Sequence, residues 1–347
     1  HPHAHNLEAV ARLLLRSESV ASSRIEGLEI SQRRVAEALF DPDHGDSTAR
    51  SVLNNILAME TSIRIADEAR AISVADLQAI HRTLLNTPGD ARLAGVIRTT
   101  QNWIGGSSNN PRDAVFIPPP ETEVLALLED LCVFINREDL APIIQAAIAH
   151  AQFETIHPFG DGNGRVGRCL IHAILRRRGL GRHFVPPVSV ILATNARAYI
   201  DGLTAFRSGL VSEWCATFAA AMRAAGQGTL ALTEHLHALQ DEWRERAGRP
   251  KRGSGALKLI GALPAYPILK AETVAKALGV SDQVARLAIQ RLAKARILSQ
   301  ITIGRRNRAW AAKEVFQVLN AFEWEVATPQ NSREERRPSP TKGRKPA

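Results

Sequence analysis

The sequence has few cysteines and no long apolar run. Its 347 residues contain three cysteines, at the scattered positions 132, 169 and 215, and this spacing fits neither a disulfide framework nor a cysteine metal site. No apolar run reaches the roughly 20 residues that a membrane-spanning helix needs, and no signal-peptide pattern is visible. We therefore expect no membrane partner and a reducing, cytoplasmic location. Because the first residue is His1 rather than methionine, we also expect some N-terminal residues to be missing.

Positive charge is concentrated near the C-terminus. Residues 251–315 carry 13 Lys/Arg and 3 Asp/Glu, a net charge of +10, and residues 316–347 add +2. The full chain has a net charge of +9, so residues 1–250 are mildly acidic at −3. The length suffices for two or three domains. The difference in net charge predicts different functions for residues 1–250 and residues 251–347.

The most informative stretch is HPFGDGNGRVGR, from His157 to Arg168. Its glycines permit a tight turn and a close backbone approach to an anion. Apolar residues at helical spacing predict a helix over 164–178, whose N-terminus favours phosphate. Asp161 is a candidate ligand for Mg²⁺, which prefers carboxylate plus substrate phosphates, and His157 can accept a proton near neutral pH. The residues alone therefore predict a phosphate site with a base beside it.

Two other loop types contain similar residues, and neither fits. An EF-hand calcium loop in this register would place Phe159 and Leu170 at ligand positions, and neither side chain can bind calcium. A Walker A loop ends in Gly-Lys-Ser/Thr, which is absent here. The alternative to a phosphate site is a Gly-rich turn before a helix that has only a structural role.

The whole stretch resembles the signature of the Fic family, His-x-Phe-x-(Asp/Glu)-Gly-Asn-Gly-Arg-x-x-Arg, at every fixed position. The resemblance implies transfer of AMP from ATP to a protein hydroxyl, with His157 as general base and Asp161 as the Mg²⁺ ligand. The nucleotide-binding residues that it implies are Gly162, Asn163, Gly164, Arg165 and Arg168. Tyr199 lies where relatives place an aromatic residue near the nucleotide, and a core tyrosine is the alternative.

A second, shorter pattern precedes this core. Ser22, Glu26 and Gly27 match the inhibitory motif of the family, (Ser/Thr)-x-x-x-Glu-(Gly/Asn), and the alternative is an ordinary helix with an exposed acid. If the resemblance holds, Glu26 forms an ion pair with Arg168, whose guanidinium group is then unavailable to a terminal phosphate.

Residues 98–120 differ from the helical segments around them. Two short β-prone runs flank a turn rich in Ser, Asn and Pro, which predicts a hairpin. It is either a surface excursion over a helical core or, by family resemblance, a flap to which an extended target segment adds as a strand. The predicted flap residues are Trp103, Ile104, Gly105, Phe116 and Ile117.

The basic C-terminal part has its own pattern. A short helix, the turn Gly279-Val280-Ser281 and a second helix are followed by alternating residues around Gly304-Arg305-Arg306-Asn307, and the arrangement resembles a winged helix. Candidate phosphate contacts are Arg286, Arg291, Lys294, Arg305, Arg306 and Arg308. DNA binding and a protein-interaction or dimerisation role are both open, since a fold does not determine a function.

We therefore predict an all-α fold: a Fic-type helical core with a β-hairpin flap, plus a C-terminal winged-helix domain. The expected divisions are an N-terminal helical segment with the inhibitory motif (1–90), a catalytic core (91–225), a helical linker (226–253), the winged helix (254–315) and a helix end with a disordered basic tail (316–347). The predicted function is Mg²⁺-dependent AMP transfer to a Ser, Thr or Tyr hydroxyl of a target protein, including self-modification, autoinhibited by Glu26. A homodimer is a further expectation. The alternatives are a DNA-binding regulator that uses the nucleotide site as a sensor, and an enzyme that removes AMP.

Overall fold

The computed structural model describes residues 2–42, 45–68, 70–87, 89–106, 110–303 and 307–327. These residues contain fourteen α-helices and a three-stranded sheet, which agrees with the predicted helical class. No helix of this part of the chain is both long and apolar enough to span a bilayer. The helices are α1 Pro2–Ile25, α2 Gln32–Phe40, α3 Ser47–Asp67, α4 Val74–Leu84, α5 Val124–Ile135, α6 Pro142–Ile156, α7 Asn163–Arg177, α8 Val188–Thr194, α9 Ala196–Arg207, α10 Val211–Arg246, α11 Gly255–Ala262, α12 Ala271–Leu278, α13 Asp282–Lys294 and α14 Lys313–Ala327; the strands are β1 Ile268–Leu269, β2 Ser299–Ile303 and β3 Asn307–Ala311.

Helices α6 and α7 lie at the centre of the larger hydrophobic core. Every residue of α7 from Asn163 to Leu175 is buried, because neighbouring helices cover it on all sides. Helix α6 has a proline at its first position, where the missing N–H costs nothing. The two helices are joined by residues 157–162 alone, so the predicted phosphate loop is held at both ends by buried helices.

Helix α1 is a single continuous helix of 24 residues. It is fastened to the core by Glu18, which is fully buried. One carboxylate oxygen of Glu18 accepts a hydrogen bond from His172 Nε2 at 2.9 Å, and the other accepts one from the backbone N–H of Ser189 at 2.7 Å. A buried carboxylate with such partners ties α1 to α7 and α8, because losing a partner would leave a charge uncompensated.

The C-terminal elements share a second core with α1 and α10. Helix α10 runs unbroken through the predicted boundary between residues 225 and 226, and its second half packs against α11 and α14. Leu13 and Leu14 of α1 belong to this same core, together with Leu236 and Trp243 of α10. The N-terminal helix therefore contacts both the larger core and the C-terminal domain.

The C-terminal domain follows the order α11, β1, α12, α13, β2, β3, α14, and its strands form an antiparallel sheet in the order β1-β3-β2. Helix α12 ends at Gly279, and Ser281 caps the start of α13 by accepting a hydrogen bond from the N–H of Val284. Residues 304–306, and with them Arg305 and Arg306, lie outside the described residues, as do residues 328–347. The winged-helix identity and the disordered tail stay predictions.

The predicted flap is less regular than a hairpin of two strands. Its described residues contain one isolated antiparallel bridge, between Ile104 and Phe116. The N–H of Ile104 donates to the carbonyl of Phe116 at 2.9 Å, and the N–H of Val115 donates to the carbonyl of Ile104 at 2.8 Å. The two runs do pair, but prolines 118–120 offer no N–H group to extend the ladder.

Candidate active site

His157 lies directly after α6, in a left-handed backbone conformation with φ of 49° and ψ of 60°. Its backbone N–H still donates to Phe153 O at 2.9 Å, so the histidine caps the helix while its side chain leaves the helix direction. The side chain is 20% exposed, and Nδ1 lies 3.8 Å from Oε2 of Glu154. Burial lowers the pKa of His157 to about 4, so the imidazole is neutral at pH 7 and can accept a proton.

The loop after His157 is closed by the side chain of Asn163. Oδ1 of Asn163 accepts the N–H of Phe159 at 2.9 Å, and Nδ2 donates to Phe159 O at 2.8 Å. Asn163 is buried, so its side chain shapes the loop and only its backbone is available to a nucleotide. The Phe159 ring is fully buried in the core, where it anchors the loop.

Two residues that the sequence analysis did not single out also fix this loop. Arg98 donates through Nε to His157 O at 2.9 Å and through Nη2 to the carbonyls of Ile156 and Pro119, so it joins the loop to the base of the flap. Asn102 donates to the carbonyls of His157 and Phe159, each at 3.2 Å. Both lie about sixty residues upstream of the loop, so no local signal in the motif reveals them.

His81 of α4 is a third support. Its Nε2 lies 2.9 Å from Asp161 O, and its Nδ1 accepts the N–H of Gly95 at 2.9 Å, which assigns the proton to Nε2. The ring stacks on Phe159 with centroids 3.8 Å apart. Burial lowers the pKa of His81 to about 4, so it stays neutral and acts as a structural donor.

The predicted anion site lies at the N-terminus of α7. Gly162, with φ of 76°, precedes the helix, and the first N–H groups of α7 have no partner within it. Oδ1 of Asp161 accepts the N–H of Gly162 at 2.7 Å, and its other oxygen lies 3.6 Å from Nη2 of Arg165. The Asp161 side chain is 63% exposed, and no group of three or more potential metal ligands occurs among the described residues. One accessible carboxylate fits Mg²⁺ only when phosphate oxygens supply further ligands.

The two arginines of the motif differ in their surroundings. Arg165 is buried and donates to Ser51 Oγ at 2.9 Å. Arg168 is fully buried, and its Nε donates to Ser22 Oγ at 2.8 Å. Nη2 of Arg168 donates both to Ser22 O at 2.7 Å and to Oε1 of Glu26 at 2.8 Å. The structure thus brings the predicted inhibitory residues onto the second arginine of the motif.

The Glu26 carboxylate lies over the first turn of α7. A Cβ atom at Gly164 would overlap Oε1 of Glu26, so only glycine leaves room for the carboxylate there. Burial opposes ionisation of Glu26, but the charge of Arg168 and its hydrogen bond outweigh that effect and lower the pKa of Glu26. The carboxylate is therefore ionised at neutral pH and fills the position where the helix would hold a phosphate.

Gly27 sets the direction of the chain after Glu26. The N–H of Leu28 donates to Ser23 O at 3.0 Å, and the N–H of Gly27 donates to Arg24 O at 2.9 Å, with φ of 80° at Gly27. This is the Schellman arrangement that ends a helix with glycine in the left-handed region. Glu26 is consequently fixed at the last turn of α1 and its side chain points back to α7.

Tyr199 lies within the core. It is buried, and its hydroxyl lies 2.8 Å from Nε2 of His150. His150, which has no metal-ligand pattern in the sequence, is buried and its pKa is lowered to about 3 by burial.

Glu154, close to both His157 and Arg168, has its pKa raised to about 7, first by burial and then by the charge of Glu26. Glu26 and Glu154 are thus electrostatically linked.

The flap residues lie beside this site. Trp103, Ile104 and Phe116 are half-buried, Gly105 is exposed, and Ile117 is 55% exposed. The guanidinium of Arg207, at the end of α9, lies 4.2 Å from the centroid of the Phe116 ring, and this cation–π contact ties the flap to the core.

Comparisons with known proteins agree with this geometry. Residues 71–175 match the family described as Fic/DOC family, and residues 2–64 match its N-terminal family, Fic/DOC family N-terminal. Residues 71–175 therefore form a Fic/DOC-family domain, preceded by a segment of the matching N-terminal family. The first match contains the loop and α7 up to residue 175, and the second contains the predicted inhibitory residues.

Curated relatives of this chain are named protein adenylyltransferases. The protein adenylyltransferase fic-1 of Caenorhabditis briggsae is 34% identical over 155 residues, which are 42% of this chain and 28% of that protein. The protein adenylyltransferase Fic of Culex quinquefasciatus is 29% identical over 193 residues, which are 53% of this chain and 35% of that protein. The chain thus covers about a third or less of these relatives' lengths.

A solved structure resembles nearly the whole chain. The crystal structure of a Fic family protein from Desulfovibrio desulfuricans G20 covers 87% of this chain and 87% of its own, with a TM-score of 0.56 and 22% identity. At that identity the likeness shows the fold and says nothing further about activity.

Proposed function

We propose that this protein transfers the AMP part of ATP to a hydroxyl group of a target protein, and that Glu26 inhibits the transfer. One observation carries the proposal: the carboxylate of Glu26 fills the anion site between Arg168 and the N-terminus of α7, within the electrostatic reach of His157. A site that accepts a carboxylate in this way accepts a phosphate by the same donors. The names of the curated relatives support AMP transfer as the reaction.

His157 supplies the base. Its Nδ1 is buried beside Glu154, so Nε2 is the ring nitrogen that a target hydroxyl can approach. The hydroxyl oxygen attacks the α-phosphorus of ATP, its proton passes to His157, and the bond from the α-phosphorus to the bridging oxygen breaks. Pyrophosphate leaves with that oxygen, and AMP stays bonded to the target.

The start of α7 stabilises the charge that develops on the phosphates. The backbone N–H groups of residues 163–165 face the α-phosphate, and each well-placed donor of this kind contributes about 3 kcal/mol to the transition state. Arg165 and Arg168 hold the β- and γ-phosphates once Glu26 has moved. Asp161 would hold Mg²⁺ together with phosphate oxygens, and the ion would neutralise charge on the leaving pyrophosphate.

The flap offers a place for the target. Val115 and Ile117 are 67% and 55% exposed, on a segment that pairs with Ile104 through one bridge. An extended target segment can add to such a segment through backbone hydrogen bonds while its apolar side chains cover Val115 and Ile117. We therefore propose a target with a Ser, Thr or Tyr hydroxyl in an extended, partly apolar segment.

DNA binding receives less support from the surface of α13. Arg291, a predicted phosphate contact, donates to the carbonyls of Ala247 and Gly248 at 2.8 and 3.0 Å and so caps α10. Leu287 is 58% exposed and Val284 is 38% exposed on the same helix. Exposed apolar residues favour a protein partner over a phosphate backbone. A homodimer through this face stays a prediction.

The reaction is tested with ATP labelled on either the α- or the γ-phosphate, incubated with Mg²⁺ and the Glu26→Gly protein, alone and with cell lysate. AMP transfer labels protein from α-labelled ATP and not from γ-labelled ATP. Label from the γ-position would indicate phosphoryl transfer, and label from neither would contradict the proposal. The Glu26→Gly, His157→Ala double variant is the matched control, which should remain unlabelled.

A further inference from the structure

A large cavity among the described residues lies away from the loop and the N-terminus of α7. It has a volume of about 850 Å³ and is bounded by α1, α2, α3, the segment after α7 and the segment before β1. Sites for small molecules usually have volumes of about 300–1,000 Å³. Much of the wall is apolar, from Leu15, Leu39, Phe40, Ile63, Phe184 and Tyr266.

Arg16 of α1 is one of the residues that line the cavity. The residue is 4% exposed, and its Nε and Nη2 atoms have no hydrogen-bond partner among the described residues. Burial lowers the pKa of Arg16 to about 10, with no contribution from a neighbouring carboxylate. An arginine is still charged at that pKa at pH 7, so a positive charge is buried without a counter-charge.

Two other arginines that line the cavity are paired with carboxylates. Arg12 forms an ion pair with Glu8 at 3.2 Å, and Arg176 forms one with Asp67 at 2.6 Å. The neighbouring buried acid, Glu18, is satisfied by His172 and Ser189 and so does not serve Arg16. A buried charge without partners is costly, and proteins generally compensate such groups.

We propose that this cavity binds a small organic anion with an apolar body, whose carboxylate head pairs with Arg16. A carboxylate in the cavity supplies the counter-charge that the Arg16 guanidinium lacks. The apolar walls cover the body of the ligand. A medium-chain carboxylate such as decanoate fits this chemistry, and it is chosen as the probe.

The proposal does not depend on AMP transfer and is tested by binding alone. The full chain is titrated with decanoate by isothermal calorimetry. Decanol, which has the apolar chain without the charge, and inorganic phosphate, which has a charge without the chain, are titrated separately. We expect saturable 1:1 binding of decanoate, and much weaker binding of the other two. Arg16→Met keeps an unbranched apolar side chain in place and should weaken decanoate binding about 10- to 100-fold, the usual effect of losing hydrogen bonds to a charged group.

The matched control is Arg197→Met, which removes an arginine that is 86% exposed and far from the cavity wall. It should bind decanoate as the parent protein does. A parent protein that does not bind decanoate, an Arg16→Met protein that binds it equally well, or decanol that binds as tightly as decanoate would each overturn the proposal. Arg16→Met removes an unpaired buried charge, so we expect it to fold, and thermal unfolding checks this.

Discussion

Nη2 of Arg168 donates to Oε1 of Glu26 across 2.8 Å, with the arginine side chain 1% exposed and the glutamate side chain 36% exposed. The two partners therefore lose different amounts when they separate. Glu26 can return to water, whereas Arg168 stays buried and needs another anion. A terminal phosphate of ATP is such an anion. It therefore competes with Glu26 for Arg168, and the ion pair opens only when the phosphate replaces the carboxylate.

We predict that Glu26→Gly raises self-labelling from α-labelled ATP by about 10-fold or more. The change frees Arg168 for the γ-phosphate, and correct alignment of a reacting group is commonly worth about 10²-fold. Glycine also adds no side chain over Gly164, where the carboxylate now lies. Labelling is measured per mole of protein whose fold has been checked by circular dichroism.

The matched control for this change is Glu29→Gly. Glu29 is also an exposed glutamate, three residues further on, and it forms no hydrogen bond or ion pair with another described residue. Its replacement should leave labelling unchanged. Equal or lower labelling by Glu26→Gly than by the parent would leave Ser22 to Gly27 as an ordinary helix end.

A second prediction concerns Ser22. Ser22→Ala removes one of the three acceptors of Arg168 but leaves Ser22 O and Glu26 in place. Labelling should therefore rise, by less than for Glu26→Gly. Ser23→Ala is the comparison, because its hydroxyl bonds Ser19 O and Asn55 rather than Arg168. If the two serine variants behave alike, the serine has no specific effect on Arg168.

The parts of the site that were predictable from the sequence are those whose residues lie close together along the chain. His157, the glycine turn and Arg168 fall within one loop and the first turns of one helix, so their spacing determines their placement. The helical class was equally accessible, because the apolar periodicity of α3 and α5 is local. The contact of Glu26 with Arg168 joins residues 142 positions apart, and it was expected only through the family resemblance.

Other features depend on tertiary contacts that no local pattern contains. Arg98 is an ordinary arginine in the sequence, yet its side chain binds carbonyls on both the catalytic loop and the flap. The unpaired state of Arg16 depends on which elements surround it, not on its neighbours in the chain. Helix α10 crosses the predicted boundary between residues 225 and 226, where Gly226 and Gly228 stay helical and Gly228 lies against Phe322 of α14.

His157→Ala should abolish labelling in the Glu26→Gly background while ATP binding is kept. Loss of a general base costs about 10²- to 10⁴-fold in rate. The phosphate donors lie on α7 and do not depend on the imidazole, so the affinity for ATP should change little. Binding is measured by calorimetry and rate by α-labelled ATP. His237→Ala, an exposed histidine on α10, is the control, and full labelling by His157→Ala would remove His157 as the base.

The pH dependence of labelling should show an acid limb below the ordinary histidine range. Burial lowers the pKa of His157 to about 4, and the positive charges of Arg207 and Arg98 act in the same direction. A lowered pKa keeps the imidazole neutral and basic at all pH values above it, so activity is lost only as the pH falls towards 4. Removing Glu26 takes away a negative charge that raises this pKa. In the Glu26→Gly protein, kcat/KM should stay level from pH 8 to about 6.5, and a half-maximum near 6.5 would contradict the buried, neutral base.

The inhibitory segment is also held from the C-terminal domain. Glu323 of α14 accepts a hydrogen bond from Arg24 at 3.0 Å and another from Gln32 Nε2 at 2.8 Å, so it binds the chain on both sides of Glu26. The Glu323 side chain is only 17% exposed, which reduces solvent screening of the contact with Arg24. Losing these contacts should loosen the end of α1 without touching Arg168, Ser22 or the catalytic loop.

Glu323→Ala should therefore raise self-labelling about two- to fivefold, less than Glu26→Gly, since hydrogen bonds to a charged group contribute about 1.5–3 kcal/mol and Glu26 itself remains. In the Glu26→Gly background the same change should have no further effect, because the contact between Glu26 and Arg168 is already absent. Asn320→Ala, an exposed residue one turn earlier on α14, is the control for effects on the helix alone. Additive increases in the double variant would show that Glu323 acts on labelling by another route, and unchanged labelling in the single variant would show that the Arg24 and Gln32 contacts do not restrain Glu26.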